Sequence, residues 1–257
     1  MKLFKELYQY RELLKSSVKK EFRGKYKKSS LGVLWSFINP LMQLIVYALV
    51  FPFILRVETE NYTMFLLVTL IPWNFFSTVI TQVTPVIVNN SNIVKKVYFP
   101  RAILPISIIT AGLVNFVIAL VLVLIGLLIS GIGFSIYILY LPLIMILQYL
   151  LSIAMALILS SITVYLRDIE YVINVLMLMW FYVTPVLYPA ELIPQKYQFI
   201  YNLNPMTGII NSYRDILYYQ SSPRLTSLAI LSVLVLGLLF IGYKVFYKLE
   251  RNFAEEM

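Results

Sequence analysis

Residues 91–105 read SNIVKKVYFPRAILP and set three cations, Lys95, Lys96 and Arg101, between two long apolar regions. From Ala102 to Leu166 the chain holds no Lys, Arg, Asp or Glu. As a helix, a run of about 65 residues would reach roughly 98 Å, about three times a bilayer core of ~30 Å. The run therefore crosses a membrane and folds back at least once. The place is SGIGFS at 130–135, where Gly131 and Gly133 supply turn geometry without a side-chain penalty. The basic stretch at 91–101 is then the loop whose side fixes the topology.

Composition bounds the answer in the same direction. With 60% apolar and 13% charged residues and a mean hydropathy of +0.83, the chain is an integral membrane protein. It has no Cys and no His, so disulfides, thiolate metal sites and the commonest general base are all absent. The net charge of +9 does not point to nucleic acid, because ten of the 21 basic residues lie in the first 28 positions.

Residues 1–30 place Phe4, Leu7, Leu14, Val18 and Phe22 at roughly helical spacing among Lys and Arg. This reads as an amphipathic helix on an anionic membrane surface, or equally as a solvated basic arm. No short apolar core precedes a cleavage site, so the N-terminus is expected to stay in the cytoplasm. Six spans follow in an all-α domain covering 31–257: about Leu31–Leu55, a second from near Met64, Ala102–Ile129, Ile136–Leu166, Tyr171–Leu187 and Leu225–Tyr243. Asn39-Pro40 should kink the first. Between spans five and six, 189–224 is too polar and too broken by proline to cross. Asn204 can cap and Pro205 can start a helix there, with Met206, Ile209, Ile210, Tyr213, Ile216 and Leu217 as its apolar stripe. The expectation is an outer re-entrant hairpin. Six crossings put seventeen cations on the side of both termini and leave Arg56, Lys196, Arg214 and Arg224 opposite, which supports cytoplasmic termini. There is no clear internal repeat.

The spans carry no Asp, Glu, Lys, Arg or His, which argues against proton-coupled transport, though backbone carbonyls could still hold sodium. There is no GxxxxGK[ST] phosphate loop, so an ATPase, if one drives the protein, is another chain. The stretches at 22–47, 70–80, 90–107 (NSNIVKKVYFPRAILPIS), 164–189 (VYLRDIEYVINVLMLMWFYVTPVLYP) and 201–217 (YNLNPMTGIINSYRDIL) resemble, in order, the membrane subunit of ABC-2 type polysaccharide exporters. These include the O-antigen and teichoic acid exporter subunits. The resemblance implies a homodimer in the bacterial cytoplasmic membrane with two copies of a cytoplasmic ABC ATPase. The ATPase would bind ATP and Mg; the cargo would be a polyprenyl-diphosphate-linked glycan, O-antigen-like or, alternatively, a teichoic acid or capsular polysaccharide.

Candidate residues follow. Trp35, Tyr47, Trp73, Phe76, Trp180, Phe181, Tyr182 and Tyr188 could line a conduit, since sugar faces stack on aromatic rings; the plainer reading is an interfacial belt and packing. Asn92, Ile93, Val94, Lys95, Lys96, Val97 and Arg101 are candidates for ATPase coupling, with Ile93, Val94 and Val97 as an apolar face. Arg167 and Asp168 can pair at the inner surface, as a coupling element or a helix stop. Asn204, Pro205 and Tyr213 fall to the outer gate, and the methionines read as flexible packing. Besides lipid and glycan, no metal or nucleic-acid partner is expected. A polytopic glycosyltransferase needs carboxylates near one face, and the outer side offers only Glu58, Glu60, Glu191 and Asp215, without a DxD pair. A channel would need no ATPase.

Overall fold

The computed structural model describes residues 2–26, 29–55 and 60–256. Lys27, Lys28, Arg56 and Glu58, which enter the topology argument, lie outside the described residues. Every regular element among the described residues is helical. Four are long and apolar enough to cross a membrane: Tyr62–Val83, Ile103–Ile129, Ile136–Tyr165 and Leu225–Asn252, with Trp35–Phe51 and Ile169–Val183 as shorter apolar helices.

The N-terminal region is two helices rather than one, α1 (Lys2–Gln9) and α2 (Arg11–Tyr26), divided at Tyr10. Both are docked on the bundle. Leu3 is buried, Glu6 accepts a hydrogen bond from the Tyr247 hydroxyl, and α2 packs along α7 (Ile103–Ile129). A 3₁₀ turn at Gly32–Leu34 leads into α3 (Trp35–Leu55), which runs through Asn39-Pro40 without a break in its helical assignment.

The central helix is α4 (Tyr62–Val83), packed against α3, α7, α8 (Leu141–Tyr165), α9 (Ile169–Val183) and α11 (Pro205–Leu217). From Met64 to Trp73 every residue is buried, as in a helix surrounded by others. Two short helices, α5 (Val86–Asn89) and α6 (Ser91–Lys96), carry the chain into α7. The turn after α7 is built as its glycines require. Gly131 and Gly133 take φ of 77° and 76°, and the Gly133 N–H donates back to the Leu127 carbonyl at 3.0 Å, closing the helix end. A 3₁₀ turn over Ile136–Tyr140 then precedes α8.

The fifth apolar helix ends earlier than its composition suggests. α9 stops at Val183, and Thr184 turns extended with ψ 139°. The cause is Pro185, whose ring excludes the helical region for the residue before it. Beyond it, 3₁₀ turns and α10 (Gln198–Leu203) lead to α11 and then α12 (Leu225–Leu249), which runs six residues past Tyr243. The chain ends in α13 (Phe253–Glu256).

The most extensive helix pair is α8 with α12. The Tyr165 hydroxyl donates to the Leu249 carbonyl at 2.8 Å, so their C-terminal ends lie together and the two run parallel. Gly242 permits this approach, because a Cβ there would lie 2.6 Å from the Ala154 carbonyl oxygen. Helices in lipid gain little from burying apolar surface against each other, so close backbone contact at small residues does the work. Gly242→Leu should therefore force the pair apart and cost about 1–3 kcal/mol, read as a lower unfolding temperature in detergent. An unchanged temperature would mean that this contact does not hold the pair.

Candidate functional site

Polar residues recur on α4 at Asn74, Ser77, Thr78, Thr81 and Gln82, the three- and four-residue spacing that defines one helix face. Facing helices carry their own: Ser36, Asn39 and Gln43 on α3, Asn115 on α7, Glu170 and Asn174 on α9. These residues converge. They line one cavity of about 970 Å³, to which α2 adds Glu21 and Gly24 and α5 adds Asn89, with Asn90 beside it. Gly112 of α7 lies so close to α4 that a Cβ would meet Val79 Cγ1 at 2.3 Å.

The amides partly hold the walls together. Asn74 Nδ2 donates to Gln43 Oε1 at 2.8 Å, joining α4 to α3, and Ser36 Oγ donates to Asn115 Oδ1 at 3.4 Å, joining α3 to α7. Thr81 returns its hydroxyl to the Ser77 and Thr78 carbonyls, each at 3.0 Å. Asn39, Gln82, Asn89 and Asn174 have no side-chain partner among the described residues. An amide facing hydrocarbon without a partner costs several kcal/mol, on the order of 2–7. Such a set at membrane depth is tolerated where it meets a hydrated cavity.

Of the eight aromatics singled out in the sequence, Trp35 lines this cavity. The rest sit differently. Trp73, Phe76 and Phe181 are buried in the core and form a continuous ring stack. Tyr47 lies on Phe181 with centroids 5.9 Å apart, Phe181 meets Trp73 at 5.6 Å, Trp73 meets Phe76 at 6.0 Å, and Phe76 meets Trp180 edge-on at 5.3 Å. The stack binds α3, α4 and α9. Tyr182 is exposed, and the Tyr188 hydroxyl donates to its carbonyl at 2.9 Å.

The segment Thr184–Leu187 is non-helical yet buried, so its carbonyls need donors. The Thr184 carbonyl accepts from the Val186 N–H at 2.7 Å within the turn, and the other three are supplied from a distance. Arg214 Nη2 donates to the Pro185 carbonyl at 2.5 Å and reaches that of Val186 at 3.4 Å. Thr69 Oγ1 donates to the Val186 carbonyl at 2.9 Å, and the Tyr62 hydroxyl to that of Leu187 at 2.8 Å. Arg214, only 2% exposed, has its guanidinium 3.9 Å from the Phe65 ring centre.

α11 is capped as its sequence suggests. Asn204 Oδ1 accepts from the Met206 N–H at 3.0 Å and Pro205 opens the helix. Asn204 also accepts from Trp180 Nε1 and donates to Thr184 Oγ1, each at 2.9 Å, so the start of α11 is bolted to α9. Tyr213 is buried and donates to Gln148 Oε1 at 2.9 Å, while Gln148 Nε2 donates to the Pro72 carbonyl at 2.8 Å. One buried amide thus joins α11, α8 and α4.

α6 divides the apolar trio. Val94 is buried at 3% exposure, whereas Ile93 and Val97 are 44% and 56% exposed, beside the exposed Tyr98. Val97 leaves the helix in extended backbone with φ −126° and ψ 133°, so the outward patch is Ile93, Val97 and Tyr98, with Asn92, Lys95 and Lys96 exposed around it. Arg101 turns to the C-terminal segment. Its Nη1 donates to the Glu250 carbonyl at 2.5 Å, its backbone N–H donates to Glu250 Oε1 at 3.3 Å, and its guanidinium lies 5.8 Å from the Phe253 ring centre. Arg167 and Asp168 are exposed in the turn between α8 and α9 and form no ion pair with each other. The Asp168 carbonyl instead accepts from the N–H groups of Tyr171 and Val172, both at 3.1 Å.

A helical bundle with at least four candidate spans and a polar cavity among its helices is the membrane domain of a transport protein. Residues 12–218 match the ABC-2 type transporter family, and the chain belongs to that family. It is 34% identical over 259 residues to the O-antigen export system permease protein RfbA of Myxococcus xanthus, with all of both chains covered. Two proteins of that name from Klebsiella pneumoniae are 32% and 31% identical over 245 residues, covering 95% of this chain and 94% of each relative.

The sequence reading passed over the α4 polar stripe and Arg214. The stripe has a readable signal, the 74, 77, 78, 81, 82 spacing inside an apolar helix. The role of Arg214 has none, because its partners are main-chain carbonyls 28 and 29 residues away.

Proposed function

We propose that the chain is the permease subunit of an ATP-driven exporter that moves a polyprenyl-diphosphate-linked, O-antigen-like polysaccharide outward across the bacterial cytoplasmic membrane. One observation carries the reading: in a chain similar over its whole length to O-antigen export permeases, polar faces of α3, α4, α7 and α9 meet in one cavity. Hydroxyl-rich cargo needs donors and acceptors along its path, and amides supply both.

In this reading α3 and α9 complete six crossings. A 21-residue helix spans about 32 Å, and a 15-residue helix about 22 Å, with the buried turn at Thr184–Leu187 continuing past its end. Both termini are cytoplasmic, 1–30 forms the interfacial element of a single membrane domain over 31–257, and 189–224 dips in from the outer side as a gate held by Asn204, Pro205 and Tyr213. The aromatic stack sets the relative positions of the conduit helices, and of those eight aromatics Trp35 is presented to cargo. The chain works as a homodimer with two copies of a separate ATPase that binds ATP and Mg, since a symmetric pair presents two docking surfaces.

Inverted vesicles holding the chain and its ATPase should take up lipid-linked glycan on addition of ATP, and the chain alone should hydrolyse none. ATP hydrolysis by the isolated chain would sink the assignment. The coupling role of α6 has its own test. Ile93→Ser, Val97→Ser and Tyr98→Ser together keep every charge and leave buried Val94 intact, so insertion and orientation should persist. Co-purification of the ATPase should fall at least tenfold. Were the triple variant to bind the ATPase like the parent, the docking surface would lie elsewhere.

A further inference from the structure

We infer that the cavity accepts uncharged glycan and rejects polyanionic repeat units, a refinement that rests on the export reading above. The groups free to meet cargo are neutral amides: Asn39, Gln82, Asn89 and Asn174 line the cavity without a side-chain partner among the described residues. A primary amide offers two donors and an acceptor, the complement of a sugar hydroxyl that both gives and takes a hydrogen bond. Phosphate and carboxylate oxygens only accept, and in a partly dehydrated site they require cations or several aimed N–H groups.

Among the described residues no Lys or Arg lines the cavity, and its two ionisable members there, Glu21 and Glu170, are both acidic. Carboxylates on the path repel a passing anion and leave a neutral sugar unaffected. The chain is strongly cationic overall, at +9, so the shortage of cations here is local. Lys19, Lys20 and Arg23 are exposed on the same α2 that turns Glu21 to the cavity. The diphosphate of a lipid-linked cargo is therefore met at the membrane surface, outside the cavity, while the glycan enters it. At about 970 Å³ the cavity is at the top of the ~300–1,000 Å³ range of small-molecule sites, with room for more than one sugar ring.

The test uses proteoliposomes containing the chain and its ATPase, with two probes on the same polyprenyl diphosphate: a mannose oligomer and a glycerol-phosphate oligomer of equal length. The neutral probe should be transported at least tenfold faster. Glu21→Gln with Glu170→Gln should narrow the ratio several-fold, and Gln82→Lys should narrow it further by speeding the anionic probe. Thermal unfolding of each variant controls for folding. Equal transport of both probes overturns charge selection and leaves the export reading intact. If neither probe moves, the export reading fails and this inference falls with it.

Discussion

Arg214→Leu should abolish export and lower the unfolding temperature by roughly 10 °C. The guanidinium is buried, donates to the Pro185 carbonyl and reaches that of Val186, and stacks on Phe65. Charged hydrogen bonds contribute about 1.5–3 kcal/mol each, and a desolvated cation–π contact about 2. Replacing a buried charge by an apolar residue can be neutral where its partners are also removed. Here they are main-chain carbonyls and remain. The Val186 carbonyl keeps Thr69 as a donor, but the Pro185 carbonyl loses its own. The non-helical segment 184–187 would then shift, and α11, tied to it through Asn204 and Thr184, would shift as well. Arg214→Lys should be intermediate, because a point charge cannot bridge two carbonyls and also lie flat on a ring. If the leucine variant is as stable and active as the parent, the clamp has no mechanical role.

Asn74→Leu, Thr78→Leu and Gln82→Leu together should reduce export by ten- to a thousandfold without weakening the fold. Three neutral hydrogen bonds at about 0.5–1.5 kcal/mol each give that range. Because the residues face a cavity inside a membrane protein, leucine is no burden to insertion. Among the described residues the side-chain hydrogen bond lost is that of Asn74 to Gln43. Stability and ATPase binding should stay at parental levels while glycan accumulates inside. Loss of all three together would mark a folding defect and remove the stripe as a cargo surface.

Local rules in the sequence anticipate much of this architecture. The Gly131 and Gly133 turn, the Asn204 cap with Pro205 after it, and the fully buried stripe from Met206 to Leu217 each follow from neighbouring residues alone. The early end of α9 was also readable, since Thr184 precedes Pro185. Val97 parts from Val94 because it stands in extended backbone past the end of α6, which the spacing alone does not show. What could not be read depends on contacts distant in sequence: α2 docking on α7, the meeting of four polar faces, the ring stack and the buried Arg214. Met206 and Met177 pack in the core as flexible filler would, whereas Met179 is exposed, a difference set by which face of α9 the bundle covers.

The most direct test of the central claim, that cargo runs along the polar face of α4, is site-specific photocrosslinking in cells that are exporting. A benzophenone side chain at position 78 or 82 should give glycan-bearing adducts that depend on ATP hydrolysis by the partner. The same group at position 233, where Val233 of α12 is 73% exposed on an apolar helix, should give none. Adducts from 233 but none from 78 or 82 would contradict the account and move the path away from this cavity.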